Sequence, residues 1–152
     1  MGLAIKKYNM KVMKFITHPY LMIFVFCCIL VSGEHWGGFY LVYLLLALPH
    51  GGIHSIFAVL GVGMLLFSFH KYMRTKTFLI ESVLNILGNL LLVFSLVLFF
   101  HNDREGYNAG TFEQAVPIIT LILFSLISIC FLVDNIIGLS KKSDRHMWLK
   151  KG

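Results

Sequence analysis

Residues 36–69 read WGGFYLVYLLLALPHGGIHSIFAVLGVGMLLFSF, a run of 34 residues without a charged side chain. A continuous helix of that length would measure about 50 Å, whereas the hydrocarbon core of a bilayer is about 30 Å thick. Pro49 removes a backbone hydrogen bond, and Gly51 and Gly52 weaken a helix directly after it. We therefore predict that this element is kinked or broken near Pro49–Gly52, and that its spanning part begins at residue 38 or at residue 50 and ends at residue 69.

Two interpretations of the part before the break are open. Residues 38–47 form either a re-entrant or interfacial segment, or the first part of one long, kinked and strongly tilted helix. Because a re-entrant segment returns to the side from which it came, both interpretations give the chain the same orientation.

The rest of the sequence has the composition of an integral membrane protein. Of the 152 residues, 58% are hydrophobic and only 13% are charged, whereas a soluble domain is about 45–50% apolar and about 25% charged. A spanning helix needs about 20 mostly apolar residues, and three further segments qualify: 15–32, 78–100 and 116–138. We predict an all-α membrane protein with a single domain over residues 1–152, folded as an antiparallel bundle of four transmembrane helices.

Twelve of the thirteen lysine and arginine residues lie on one side of the predicted membrane, and only Arg104 lies on the other. The positive-inside rule therefore places both termini in the cytoplasm. The predicted location is the inner (plasma) membrane of a bacterium. Contacts with lipid headgroups are expected from the carboxyl-terminal residues Lys141, Lys142, Trp148, Lys150 and Lys151.

A net charge of +6 and a pI near 9.4 are also typical of some nucleic-acid-binding proteins. Here the basic residues flank the apolar segments, as orientation signals and contacts for anionic headgroups do. We therefore predict no nucleic-acid partner. The expected partners are the lipid bilayer and other membrane-protein subunits or further copies of this chain.

Six histidines lie in or next to the apolar segments. His50 and His54 would share one face of a continuous helix, which suits two ligands of one metal ion but not the two axial ligands of one haem. Sites for a transition metal or haem b would draw further ligands from His35, His101, His18 and His70. The favoured alternative binds no cofactor: His50 and His54 hydrogen-bond to carbonyl groups that Pro49 leaves free.

Two sets of residues on the apolar segments are typical of helix packing. Small residues let helices approach closely in a bilayer, and after the break they recur at Ser55, Ala58, Gly61 and Gly63. A polar stripe of Glu81, Asn85 and Asn89 recurs every four residues on the next segment. Lipid cannot satisfy these groups, so they face protein or water. The stripe is therefore either an interhelical seam or part of a proton or solute path.

Motifs of soluble-cofactor enzymes are absent from the sequence: it contains no GxGxxG, P-loop, GxSxG or CxxCH pattern. This favours a protein that is not an enzyme. We predict a non-catalytic accessory or structural subunit of a larger inner-membrane complex. The alternatives are a metal- or b-haem-binding subunit of a membrane oxidoreductase, and a small proton-coupled transporter or channel that uses the Glu81 stripe.

Overall fold

The computed structural model describes residues 15–32, 37–75, 78–102 and 107–149. The helices are α1 (Pro19–Cys27), α2 (Tyr40–Ala47), α3 (Ile53–Thr75), α4 (Phe78–His101) and α5 (Ala115–Leu149). Two 3₁₀ helices, η1 (Leu48–His50) and η2 (Tyr107–Glu113), precede α3 and α5. The strands β1 (Leu30–Ser32) and β2 (Gly37–Phe39) pair antiparallel, with Leu30 opposite Phe39 and Ser32 opposite Gly37.

Three helices are long and apolar enough to cross a membrane: α3, α4 and α5, over Ile53–Lys71, Ile80–His101 and Ala115–Ser140. Each exposes large hydrophobic side chains on the surface that does not face the other helices, for example Leu66, Val97 and Ile129. Such surfaces are stable only where lipid or another protein covers them. The prediction of a helical membrane protein is confirmed at this level.

A fourth spanning helix is not confirmed, because the first predicted span, 15–32, does not form one helix. The helix α1 begins at Pro19, where the side chain of His18 caps it by accepting a hydrogen bond from the Tyr20 N–H at 3.3 Å. It has nine residues, which corresponds to about 14 Å. The chain after Cys28 is extended and becomes β1. The apolar content of residues 15–32 predicts a spanning helix, but apolar content does not report the conformation of the backbone.

This first segment nevertheless runs along most of the depth of the bundle. At its start the His18 ring lies 5.2 Å from the Phe69 ring, close to the end of the apolar stretch of α3. At its end the Leu30 N–H donates to Thr120 Oγ1 at 3.1 Å, close to the start of α5. A short helix followed by extended chain therefore connects two ends of the bundle. Its side chains Met22 and Phe26 are buried in the core.

The second predicted element consists of separate helices. The helix α2 ends at Ala47, η1 contains Pro49, and Gly51 adopts the left-handed conformation with φ of 69°. A residue with a Cβ is strained in that conformation, so glycine suits the reversal before α3 begins at Ile53. The exposed side chains of α2, such as Leu45 and Leu46, are apolar.

The helices α3 and α4 form the closest helix pair, and they cross at two glycines. A Cβ atom built on Gly61 would lie 2.8 Å from the carbonyl oxygen of Gly88, and one on Gly88 would lie 3.0 Å from the carbonyl oxygen of Gly61. The fully buried side chains Leu65 and Leu92 fill the space beside this crossing. Backbone thus lies against backbone, as small residues allow in membrane helices.

Candidate functional site: buried polar contacts between the helices

The best-satisfied polar contact in the bundle joins Asn89 of α4 to Ser128 of α5. The Asn89 side chain is fully buried, and its Nδ2 donates to Ser128 Oγ at 2.9 Å and to the Ser128 carbonyl oxygen at 3.3 Å. The Ser128 hydroxyl donates back to Asn89 Oδ1 at 3.1 Å. Both ends of the amide are therefore engaged by one residue of the neighbouring helix.

A second contact joins the same two helices one turn closer to the start of α4. The Nδ2 of buried Asn85 donates to Asn135 Oδ1 at 3.0 Å, and Asn135 Nδ2 donates to the Phe131 carbonyl of its own helix at 2.8 Å. The Oδ1 of Asn85 has no hydrogen-bond partner among the residues that the structure describes. The predicted polar stripe thus places two of its three members against α5.

Glu81, the third member, lies at the junction of α3 and α4. It is half-buried, and its backbone carbonyl accepts a hydrogen bond from the fully buried Ser68 hydroxyl of α3 at 3.1 Å. Interhelical hydrogen bonds of this kind contribute about 0.6 kcal/mol on average in a membrane protein. The stripe therefore lies against α3 at one end and α5 along the rest of its length.

A polar cluster at the other end of the bundle holds α2 against α3 and α4. The Tyr40 ring is fully buried between Phe26 and Phe99, and its hydroxyl lies 2.8 Å from Ser95 Oγ. Ser95 Oγ in turn donates to the backbone carbonyl of His54 at 2.7 Å. Because the single proton of the Ser95 hydroxyl is engaged by His54, the Tyr40 hydroxyl is the donor in their contact. Burial raises the pKa of Tyr40 above its usual value, which keeps this donor protonated.

His50 and His54 lie on different elements, so the expectation that they share one helical face does not apply. Gly51, in its left-handed conformation, separates η1 from α3. His50 is exposed, and its Nδ1 lies 3.0 Å from the Leu46 carbonyl oxygen, which is one turn before it. His54 is half-buried, with its ring 5.5 Å from the Phe99 ring. Each imidazole therefore makes a contact that does not involve the other.

Within the described part of the chain, the other candidate ligands do not complete a metal or haem site with His50 or His54. His18 caps α1, whereas His70 and His101 are exposed at opposite ends of the bundle. His35 lies outside the described residues. Across residues 15–32, 37–75, 78–102 and 107–149, no group of three or more His, Cys, Asp or Glu side chains is arranged to hold a metal ion.

Three of the four predicted packing residues lie on the buried face of α3. Ser55, Ala58 and Gly61 are buried, whereas Gly63 is exposed and a Cβ atom built on it would have no neighbour within 4 Å. Gly63 lies two residues from Gly61, and this spacing puts it on another face of α3. The hydroxyl of Ser55 has no partner in the described ranges of the chain.

The residues predicted to contact lipid headgroups lie near the carboxyl-terminal end of the sequence. The backbone of Lys141, Lys142 and Trp148 continues α5, and their side chains are not described. Lys150 and Lys151 lie outside the described residues.

A group of contacts that the sequence did not indicate anchors β1 to η2. Thr111 is fully buried, and its Oγ1 accepts from the Ser32 N–H at 2.9 Å and donates to the Ser32 carbonyl at 3.0 Å. Gln114 Nε2 donates to Ser32 Oγ at 2.7 Å. Ser32 and Thr111 are 79 positions apart in the sequence, and single threonines carry no periodic signal that would have found them.

Comparison of the chain with protein-family models, with curated proteins and with solved structures finds no match.

Proposed function

We propose that this chain is a non-catalytic accessory or structural subunit of a larger membrane complex. The observation that carries the proposal is the Asn89–Ser128 contact, in which both polar ends of a fully buried amide bind the neighbouring helix. A proton or solute path needs polar groups that face water and exchange partners. Amides that hold α4 to α5 support a packing role instead.

Three of the described histidines support the same proposal. His54 packs against Phe99, His50 lies against the Leu46 carbonyl, and His18 caps α1. Each has a local structural use that needs no cofactor. Binding of haem b or a transition metal is the alternative, and absorption spectroscopy and elemental analysis of the purified protein separate it from this proposal.

The location and orientation are part of the proposal. We infer an inner (plasma) membrane protein of a bacterium with both termini in the cytoplasm, because twelve of its thirteen basic residues lie on one side of the apolar segments. The apolar outer faces of α3, α4 and α5 would then contact lipid or other subunits. The bilayer and other membrane-protein subunits are therefore the proposed partners, and nucleic acid is not.

Purification from native membranes tests the proposal. The full chain, tagged at its carboxyl terminus and expressed at its natural level, is extracted in a mild detergent and its mass is measured by native mass spectrometry. We expect a defined heteromeric complex of reproducible stoichiometry. An unrelated tagged membrane protein of similar size, extracted in parallel, controls for non-specific association. A homogeneous monomer or homo-oligomer would contradict the proposal.

The same preparation discriminates the alternatives. A strong Soret band near about 410–430 nm that disappears in His54→Ala would select a haem protein. Solute or proton flux by the purified chain in liposomes, abolished by Glu81→Gln, would select a transporter. We expect neither signal.

A further inference from the structure

A groove of about 430 Å³ lies between α4 and α5 on the surface of the bundle. The buried core residues Leu96 and Phe124 form its floor. Two half-buried side chains, Val93 of α4 and Leu121 of α5, are the wall residues that line it from either helix. The groove therefore reaches from the surface of the bundle to side chains of its core.

The polar groups in the groove are already engaged by the protein. Two lining residues, Ser125 and Ser128, carry hydroxyl groups. The Ser125 hydroxyl donates to the Leu121 carbonyl at 2.8 Å, and the Ser128 hydroxyl donates to Asn89 Oδ1 at 3.1 Å. The other described lining residues are all leucine, valine, isoleucine or phenylalanine. Because a polar occupant would lose its hydrogen bonds to water without replacement, the groove suits a hydrocarbon.

The groove has the dimensions of one acyl chain. An apolar cavity of about 150 Å³ binds benzene, with its six carbon atoms, so this groove has room for about 17 carbon atoms. Its α4 wall extends from Leu90 to Phe100, a rise of about 15 Å. One leaflet contributes half of the hydrocarbon core, which is also about 15 Å. Volume and length therefore agree with a single chain that belongs to one leaflet.

A helix of another protein, or of a second copy of this chain, fits the groove less well. A helix with its side chains is about 10–12 Å across. A stable protein interface buries about 800 Å² on each partner, far more than the exposed lining of this groove. Phe112 of η2 lines the same end of the groove as Phe100, with the two rings 4.9 Å apart. A helix that continued along the groove through the membrane would therefore meet η2.

The parts of this chain outside the described ranges are also poorly suited to the groove. Residues 103–106, between α4 and η2, read DREG and would bring three charged side chains to an apolar lining. Residues 1–14 precede a segment whose His18 lies against Phe69, at the opposite end of the bundle from η2. That segment also packs on the core side of Phe124, where the Phe26 ring lies 5.6 Å away.

We propose that the groove between α4 and α5 binds one acyl chain of a membrane phospholipid, in the leaflet at the η2 end of the bundle. Asn85 and Asn89 bond α4 to α5 before Leu90, and the acyl chain fills the space between the two helices beyond it. The inference goes beyond the proposed function, because the site would be present whether or not this chain belongs to a larger complex.

Retention of a lipid measures this binding. The full chain is reconstituted in phosphatidylcholine and extracted in a mild detergent that removes loosely held lipid, and its mass is measured by native mass spectrometry. We expect one phosphatidylcholine to stay bound. Ser125→Trp and Val97→Trp each put an indole into the groove and should lose it. Cys130→Trp adds the same side chain at an exposed position of α5 outside the groove lining, and this matched control should retain the lipid.

Photolabelling locates the acyl chain. Phosphatidylcholine with a diazirine near the middle of one acyl chain is added to the liposomes as a tracer, and the adducts formed on illumination are assigned by peptide mass spectrometry. We expect adducts at the wall residues in the parent and in Cys130→Trp, and their loss in Ser125→Trp. Adducts at Val59, which is exposed on α3, report the surrounding bilayer and should be equal in all variants.

The position of the diazirine tests the leaflet. A diazirine near the methyl end of the chain should label Leu132, which lines the groove at the end away from η2. One near the headgroup should label Phe112. The reverse pattern would contradict the assignment to the leaflet at the η2 end.

Four further results would overturn the inference. The first is a parent chain that retains no lipid, or that has adducts at Val59 but none at the wall residues. The second is lipid retention that persists in both Ser125→Trp and Val97→Trp. Retention that is detected only after deletion of residues 1–14 would assign the groove to the chain's own amino-terminal part. Wall adducts that form in the isolated chain but not in a native heteromeric complex would assign the groove to another subunit.

Discussion

Asn89 shows how one residue can be both polar and structural in a bilayer. Its amide has donor and acceptor groups that lipid cannot satisfy, and Ser128 engages both. Ser128 is a suitable partner because a hydroxyl donates and accepts at the same time. The pair therefore fixes the register of α4 against α5 without leaving a polar atom of the Asn89 side chain unpaired.

Removing this amide should weaken the fold. We expect Asn89→Ala to lower the free energy of unfolding by about 1–2 kcal/mol, since the buried contact is lost and a small cavity remains. In a double-mutant cycle with Ser128→Ala, the coupling energy should lie within about 0.6–1.7 kcal/mol. Unfolding in mixed micelles, followed by circular dichroism, measures both quantities. Ser125→Ala is the control, because that exposed hydroxyl bonds only to its own helix, at the Leu121 carbonyl; a cycle without coupling would contradict the assignment.

Among single residues, the sequence predicted the common face of those that recur at helical spacing. Asn85 and Asn89 recur at helical spacing on an apolar segment, so their common face follows from the order of residues alone. Tyr40 and Ser95 could not be paired in this way, since they lie 55 positions apart and each is a single polar residue with several ordinary uses. Only the fold brings the two hydroxyls to 2.8 Å.

At the scale of elements, the α3–α4 pair depends on the absence of two side chains. Gly61 and Gly88 place two backbones in contact, and Leu65 and Leu92 pack beside them. Gly63 has the same chemistry and a similar position in the sequence, but it is exposed. The two glycines of α3 therefore make a matched pair for an experiment.

Adding a methyl group to Gly61 or to Gly63 should change the stability of the protein to different extents. Gly61→Ala would put a Cβ atom 2.8 Å from the Gly88 carbonyl oxygen, so the helices must separate, and we expect a loss of about 1–3 kcal/mol. Gly63→Ala meets no atom within 4 Å and should be neutral or slightly stabilising, because alanine favours the helix. The same micelle titration compares the two variants. Equal effects would contradict a close crossing of the two backbones at Gly61.

Elements were predictable where length and apolarity decide the structure. The segments 78–100 and 116–138 lie within α4 and α5, since a long, mostly apolar segment has few alternatives to a helix in lipid. The first segment has an alternative. Its extended part obtains hydrogen bonds from β2, Thr111 and Thr120, and no property of residues 15–32 alone reports that those partners exist.

On the scale of the whole molecule, three spanning helices and one composite segment share the depth of the bundle. The helix α3 starts at the end where α4 finishes, and the segment with α1 runs alongside them from the level of Phe69 to the level of Thr120. This composite segment begins at the end of the bundle where α3 finishes, and it runs from there to the opposite end. The described start of this segment and the end of the apolar stretch of α5 therefore lie at the same end of the bundle.

Chemical labelling tests the proposed orientation. In a cysteine-free background, Asn102→Cys, exposed after α4, should react with a membrane-impermeant maleimide added to intact cells. Ser140→Cys, exposed at the opposite end of the apolar stretch of α5, should react only after the membrane is permeabilised. Both positions are exposed, so each is the control for the other. The reverse pattern would show that the basic side faces outward, against the charge distribution.

The anchoring of β1 has a consequence for the order in which the protein is made. The peptide groups of Leu30 and Ser32 find their side-chain partners at Thr120 and Thr111, which are synthesised 90 and 79 residues later. Until Thr111 and Thr120 have been made, the N–H groups of Ser32 and Leu30 lack the partners that this structure gives them. The strand β1 would therefore reach its final hydrogen bonding only after η2 and the first turns of α5 have been added to the chain.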